Sequence, residues 1–181
     1  MKYGNIEIKR VSIDDVGQLQ KIARQTFSET FSPWNSSEDM EKYLDEEISS
    51  EKMTAELTDP NAVFYFATLD NNVIGYLKLN FGQSQTELQD NKAVEIQRIY
   101  VLKEYHGKNV GQILFDKAIR IAEENNVEYV WLGVWGKNQR AVRFYKKNGF
   151  VEFDQHIFKL GNKEQTDLLM KLQLRKTGIT A

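Results

Sequence analysis

A chain of 181 residues, 41 % apolar and 28 % charged, has the length of one compact domain spanning 1–181 and enough apolar mass to bury a core. It contains no cysteine, which excludes disulfides, thiolate metal sites and a cysteine nucleophile. A net charge of −2 with scattered basic residues leaves no footprint for nucleic acid, and the most apolar run, Ala62–Leu69, is too short to cross a membrane.

Residues 6–11 alternate Ile6, Ile8 and Val11 with polar neighbours and read as a first strand. Ser12 and Asp15 form a capping box for a helix carrying Val16, Leu19, Ile22, Ala23 and Phe27, which Pro33 ends. Ser36 and Asp39 open a second helix with Met40, Tyr43 and Leu44, and a short third holds Met53 and Leu57 before Asp59-Pro60. Two strands follow, Ala62–Thr68 and Val73–Leu79, joined by a hairpin-type turn at Asp70-Asn71-Asn72. A polar loop at 83–92 leads into a strand at Val94–Leu102. Val110, Ile113, Leu114, Ala118, Ile121 and Ala122 then mark a helix that ends near Asn125-Asn126. Glu128–Val134 is a strand, and Asn138 caps a helix with Ala141, Val142, Phe144 and Tyr145 that closes at Asn148-Gly149. Phe150–Leu160 and Thr166–Leu174 pair as a final hairpin. This order predicts a three-layer α/β fold around a mixed sheet.

Several chemistries lack their residues. His106 and His156 stand far apart, without the HExxH spacing of a zinc enzyme. GxSxG and GxxxxGK[ST] are both missing, so a serine hydrolase and a P-loop nucleotide site are not expected. No metal is expected. The N-terminal MKYGNIEIKR lacks the apolar stretch of a secretory signal, which points to a cytoplasmic protein.

Two segments carry chemistry. In the turn His106-Gly107-Lys108-Asn109-Val110-Gly111, Gly and Asn tolerate positive φ, so successive N–H groups converge where a helix begins. Such a turn serves a diphosphate or plain steric need equally well. Asn138–Phe150, NQRAVRFYKKNGF, reads on its own as an amphipathic helix with a cap and a glycine stop.

In this order and spacing the two segments resemble the Gcn5-related N-acetyltransferase (GNAT) superfamily: a [Q/R]xxGx[G/A] turn, then N-x-x-A-x-x-F-Y-x-x-x-G-F. The second motif is complete through Asn138, Ala141, Phe144, Tyr145, Gly149 and Phe150. The first departs at His106, where Gln or Arg is usual, and at Asn109, where Gly is usual. The segments TFSETF, NSSEDMEKYL, IQRIYV, WLGVW and EQTDLLM are similar to bacterial spermidine/spermine N-acetyltransferases of the Bacillus PaiA type.

The resemblance implies about seven strands in a mixed, mostly antiparallel sheet, acetyl-CoA as co-substrate and a small-molecule amine as acceptor. It implies that the backbone of Ile99, Tyr100 and Val101 holds the pantetheine arm. The diphosphate falls to Gly107, Lys108, Asn109, Val110, Gly111 and Gln112, with His106 and Asn138 beside them. It makes Tyr145 the general acid, since a phenol stays protonated at neutral pH. Glu95 and Gln97, two apart, share a strand face. Gln97 takes no proton, so Glu95 is the candidate base, raised by burial or served by ordered water, because a carboxyl near ~4.3 is a feeble base for an ammonium near ~10.4.

Between Glu29 and Glu51 there are eight acidic residues and one basic, Lys42. That run favours a polycation or is a solvated helix face. Phe31, Trp34 and Tyr76 are candidates for an aromatic wall around a cationic amine, or for the core. Acceptors other than a polyamine are a peptide or protein amine, and a non-catalytic acyl-CoA-binding module stays open. A monomer and a homodimer are both compatible with the sequence.

Overall fold

The computed structural model describes residues 5–175. Its strands are β1 Glu7–Arg10, β2 Ala62–Leu69, β3 Asn72–Phe81, β4 Ala93–Val101, β5 Tyr129–Trp135, β6 Val151–Leu160 and β7 Lys163–Gln173. Its α-helices are α1 Val16–Phe31, α2 Ser37–Glu47, α3 Ser50–Thr58, α4 Val110–Glu124 and α5 Gln139–Lys147. The strands form one sheet in the order β1-β2-β3-β4-β5-β7-β6. Only β4 and β5 run parallel among the described pairs, and α4 supplies the crossover that a parallel pair requires. The α/β expectation, mixed and mostly antiparallel, is met. Among the described residues no helix is long and apolar enough to cross a membrane.

Local chemistry explains the boundaries. Ser36 Oγ accepts from Asp39 N at 3.1 Å and Ser49 Oγ from Lys52 N at 3.1 Å, so each short helix begins on a serine cap. Ser12 N donates to Asp15 Oδ2 at 2.9 Å, but the turn it opens is a 3-10 turn at Ile13–Asp15 before α1. Pro33 sits in a second 3-10 turn directly after α1, as its missing N–H requires. Asp70 and Asn71 take φ of 50° and 65°, which makes a two-residue hairpin with Asn72 already in β3.

Two cores flank the sheet. Val110, Leu114, Ala118, Ile121 and Ala122 of α4 bury one helix face against Leu77 and Leu79 of β3 and Val130 and Leu132 of β5. On the other side, Leu19, Ile22, Phe27 and Phe31 of α1 meet Phe64, Phe66 and Tyr76. The helices that follow β1 therefore cover one face, and α4 and α5 cover the other.

The sheet is split in its middle. β4 and β5 pair only at Ala93↔Tyr129, Val94↔Val130 and Glu95↔Trp131. Beyond Glu95, among the described residues, β4 continues against β3 alone and β5 against β7 alone. The β3–β4 register slips between Lys78 and Leu79, which leaves Gln97 as an extra residue opposite none. A bulge of this kind bends its strand and re-aims the side chains beyond it.

Gly75 sits where β3 supports the diverging part of β4. A Cβ placed there would lie 2.7 Å from the Tyr100 carbonyl oxygen, which belongs to backbone and has no room to yield. Gly75→Ala is therefore expected to cost about 1–3 kcal/mol, the usual cost of overpacking. A lowered urea midpoint at constant m-value checks it.

Candidate active site

Two cavities open into the split. The larger, about 570 Å³, is walled by α1, α2 and α3 on one side and by β4, β5, β6 and β7 on the other. The second, about 440 Å³, lies between β4, the start of α4 and α5. Both are lined by Ile99, Ala141 and Tyr145, so these residues form the wall or passage between them.

The smaller cavity is built around the start of α4. Asn109 takes the left-handed conformation at φ 67° and Gly107 takes φ 75°. Asn109 makes no side-chain cap, so the N–H groups of Val110 and Gly111 project toward the cavity at the positive end of the helix. No atom lies within 4 Å of a Cβ built on Gly107, and the nearest to one on Gly111 is 4.0 Å away. Arg140, Phe144 and Lys147 face the same space from α5, at the 4- and 3-residue steps of one helix face. Uncapped donors, two cations and open glycine faces suit a diphosphate.

The predicted cofactor residues divide. Ile99, Val101, His106, Gly107, Asn109, Val110, Gly111 and Gln112 line this cavity. Lys108 does not; its Nζ lies 5.1 Å from the Tyr105 ring centroid. Tyr100 and Asn138 line the larger cavity instead. Asn138 Oδ1 accepts from Ala141 N at 3.2 Å, so its side chain caps α5 and is not aimed at a diphosphate. Gln112 Nε2 donates to Asp116 at 2.9 Å and to Asn148 at 3.0 Å, tying α4 to α5. The His106 ring turns back to β4, with Nε2 2.8 Å from the Val101 carbonyl. Burial first, then Arg140, holds this imidazole below its ordinary pKa, which favours the neutral ring with Nε2–H donating.

The larger cavity is polar at its walls. Asn80 Nδ2 donates to Glu95 Oε1 at 2.9 Å and to Gln97 Oε1 at 2.8 Å. Thr86 donates to Glu95 twice, N to Oε1 at 2.9 Å and Oγ1 to Oε2 at 2.6 Å. Three donors thus occupy a carboxylate that has about four acceptor sites. Glu56 of α3 takes both guanidinium arms of Arg98, at 2.8 and 3.0 Å, and Lys78 Nζ at 3.1 Å. Burial pushes the Glu56 carboxyl up, but Arg98 and then Lys78 outweigh it and hold it below the ordinary range. Burial, with Arg98 adding to it, pulls Lys78 down to about 8.

Tyr145 is 6 % exposed, and burial, then Tyr100, raises its phenol well above the ordinary value. It is a neutral, proton-bearing group at any physiological pH.

Two predicted substrate residues lie elsewhere. Glu29 accepts from Lys103 N at 2.7 Å on the outer surface, where it caps a short turn. Trp34 is 54 % exposed, packs edge-on against Trp135 and does not line the cavity. Phe31, Tyr76 and Gln97 do line it. Glu38, Glu41, Asp45, Glu46 and Glu51 are exposed, so most of the acidic run is a solvated face; Glu47 alone of it reaches the cavity, paired with Lys52.

The acetyltransferase (GNAT) family model matches residues 19–150. The chain belongs to this family of acetyltransferases. It is 39 % identical over 169 residues to an uncharacterized N-acetyltransferase of Lactobacillus delbrueckii, covering 93 % of this chain and 98 % of that one. It is 31 % identical over 150 residues to the spermidine N(1)-acetyltransferase of Thermoplasma acidophilum, covering 81 % of this chain and 88 % of the other. The crystal structure of the Thermoplasma acidophilum PaiA N-acetyltransferase with coenzyme A superposes at a TM-score of 0.78, with 27 % identity over 94 % of this chain and 99 % of that one.

Within the acetyltransferase fold, the cavity groups not foreseen include Arg140 and Lys147 on the groove side, and Glu56, Glu87, Arg98, Trp135, His156 and Asp167 on the other. The helical period of α5 places Arg140 and Lys147 on one face, a signal present in the sequence. Glu56 and Arg98 meet from elements 42 residues apart, for which no local signal exists.

Asn109 is the backbone key of the acetyltransferase turn. Asn109→Gly is expected to leave stability within about 0.5 kcal/mol, and Asn109→Ala to lower it by about 1–2 kcal/mol through left-handed strain. Thermal unfolding of the two variants side by side checks this.

Proposed function

We propose that this acetyltransferase moves the acetyl group of acetyl-CoA to a primary amine of a spermidine- or spermine-like polyamine. The observation that carries the reading is the meeting of two unlike cavities at Ile99, Ala141 and Tyr145. One ends on uncapped helix N–H groups with Arg140 and Lys147; the other is lined by Glu47, Glu56, Glu87, Glu95 and Asp167. Cationic side chains on that second wall are fewer, Lys52 and Arg98. A polyanion fits the first and a polycation the second. The likeness to the Thermoplasma spermidine N(1)-acetyltransferase supports the same acceptor class.

Val110 and Gly111 N–H, with Arg140 and Lys147, would hold the diphosphate of coenzyme A. Past Glu95 the edge of β4 that faces β5 has no strand partner among the described residues, so the backbone around Ile99 is free to bond the pantetheine arm as an added strand would. Acetyl-CoA supplies an acyl thioester. Tyr145, neutral and lining both cavities, delivers its proton to the leaving sulfur. Glu95, pinned by three donors, orders the 83–92 loop and the cavity floor.

A peptide amine is the second reading, favoured by 27 % identity over 150 residues to the N-alpha-acetyltransferase of Sulfurisphaera tokodaii, which covers 80 % of each chain. Mixing the protein with acetyl-CoA and a panel of spermidine, spermine and peptides, and following free thiol, separates the two. Spermidine or spermine is expected to be turned over well above peptides; peptide turnover with both polyamines untouched overturns the proposal. Tyr145→Phe is expected to lower kcat by about 10²-fold or more, the scale of a lost general acid, with acetyl-CoA affinity by calorimetry unchanged.

A further inference from the structure

Five carboxylates line the larger cavity, and four of them are already engaged. Glu47 pairs with Lys52, and Glu56 with Arg98 and Lys78. Glu87 Oε1 meets His156 Nδ1 at 2.8 Å, and Glu95 accepts from Asn80 and Thr86. Asp167 on β7 is the exception, for its carboxylate accepts no hydrogen bond and joins no ion pair among the described residues.

Its position is set by cross-strand register. Trp135 on β5, Asp167 on β7 and His156 on β6 are direct partners in two ladders, and all three line the cavity. Neighbours in such a row share one sheet face. Two residues along β5, on the same face, Gly133 presents no side chain, and a Cβ there would stand 3.8 Å from Asp167 Oδ2. The row lies beside the part of β5 that has left β4, so the carboxylate faces the open split. Across it stands Tyr100, whose phenol is pushed up to about 12 by burial, with Arg98 opposing and Asp167 adding to the rise. Tyr100 acts in turn on Tyr145.

We propose that Asp167 binds the ammonium of the acceptor and takes its proton before acetyl transfer. This rests on the acetyltransferase reading given above and goes beyond it by naming the proton acceptor. A half-buried carboxylate without a counter-ion is costly, and an incoming ammonium relieves that cost. The R–NH3⁺ group gives one proton to Asp167, and the neutral amine attacks the thioester carbonyl carbon. The C–N bond forms and the C–S bond breaks. Tyr145 protonates the departing sulfur and recovers a proton from the new amide nitrogen. Asp167 returns its proton to solvent, so one proton leaves per turnover.

The ionisable groups that face Asp167 are His156 on β6, with Glu87 of the 83–92 loop behind it, and Tyr100 on β4. Burial raises the Asp167 carboxyl to about 6, with His156 opposing. The acting form is the carboxylate, so activity is lost as pH falls through about 6, not through the ordinary carboxylate range.

The test measures kcat/KM for the best amine of the panel from pH 5 to 9, at saturating acetyl-CoA, for wild type, Asp167→Asn and Asp167→Glu. Wild type is expected to show an acid limb near 6. Asp167→Asn should lose at least 10²-fold at pH 7.5 and show no such limb, while its acetyl-CoA affinity and urea midpoint stay close to wild type. Asp167→Glu should recover part of the rate and keep a limb. A merely structural residue would move the midpoint or the affinity and leave the limb in place, which overturns the proposal. Asp167→Asn within threefold of wild type also overturns it and leaves the acetyltransferase reading intact. Wild type inert on every amine brings down both.

Discussion

The parting of β4 from β5 after three ladder pairs is the constraint on which the rest depends. A parallel pair buried at the centre of a sheet would normally continue, because an unpaired backbone edge is costly inside a protein. Here three features offset that tendency. The extra residue at Gln97 bends β4. Arg98, directly after the bulge, is fixed to α3 through both arms by Glu56. Gly75 lets β3 follow β4 closely at the far end of the bend. The edge so exposed gives a ligand backbone something to bond, and the gap gives it somewhere to lie.

Charge is sorted across that gap. The α4 side offers helix N–H groups, Arg140 and Lys147, while the opposite wall offers carboxylates. Tyr145 lines both spaces and stays uncharged because burial disfavours the phenolate. A neutral donor between an anion site and a cation site adds no field of its own to oppose either ligand. Internal pairing tunes the cation side further. Glu56 offsets Arg98 and part of Lys78, and Glu87 and His156 tie the 83–92 loop to β6, leaving little unsatisfied charge in the wall. Attraction is thereby concentrated at the few positions left unpaired.

Much of this was legible in the chain. The periodicity of α4, the serine cap of α2 and the Asn71 hairpin all act over a few residues, and each falls where expected. The αL turn at Asn109 was legible for the same reason. Features that depend on which way an element faces were not. Glu29 and Trp34 lie on helix and turn surfaces whose orientation is set by packing against the sheet, and both point away from the cavity. Asn138 satisfies both the family motif and an N-cap, and a sequence cannot say which use claims the side chain; the cap does. Asp167 depends on the β5–β7 and β6–β7 registers together, and a slip of one residue would send it to the other face.

The irregular residue of the phosphate turn follows from the same logic. An asparagine in the usual extended N-cap conformation accepts a hydrogen bond from the helix's own first turn, which stabilises the helix by about 1 kcal/mol. It also removes a donor from any ligand. Asn109 instead stands at φ 67° and makes no such bond. The left-handed backbone turns its side chain out of reach of the first turn, so the N–H groups remain free. Gly and Asn are the residues that take this conformation at least cost. What the turn requires is therefore a backbone that keeps the helix start uncapped, and asparagine meets that requirement as glycine would.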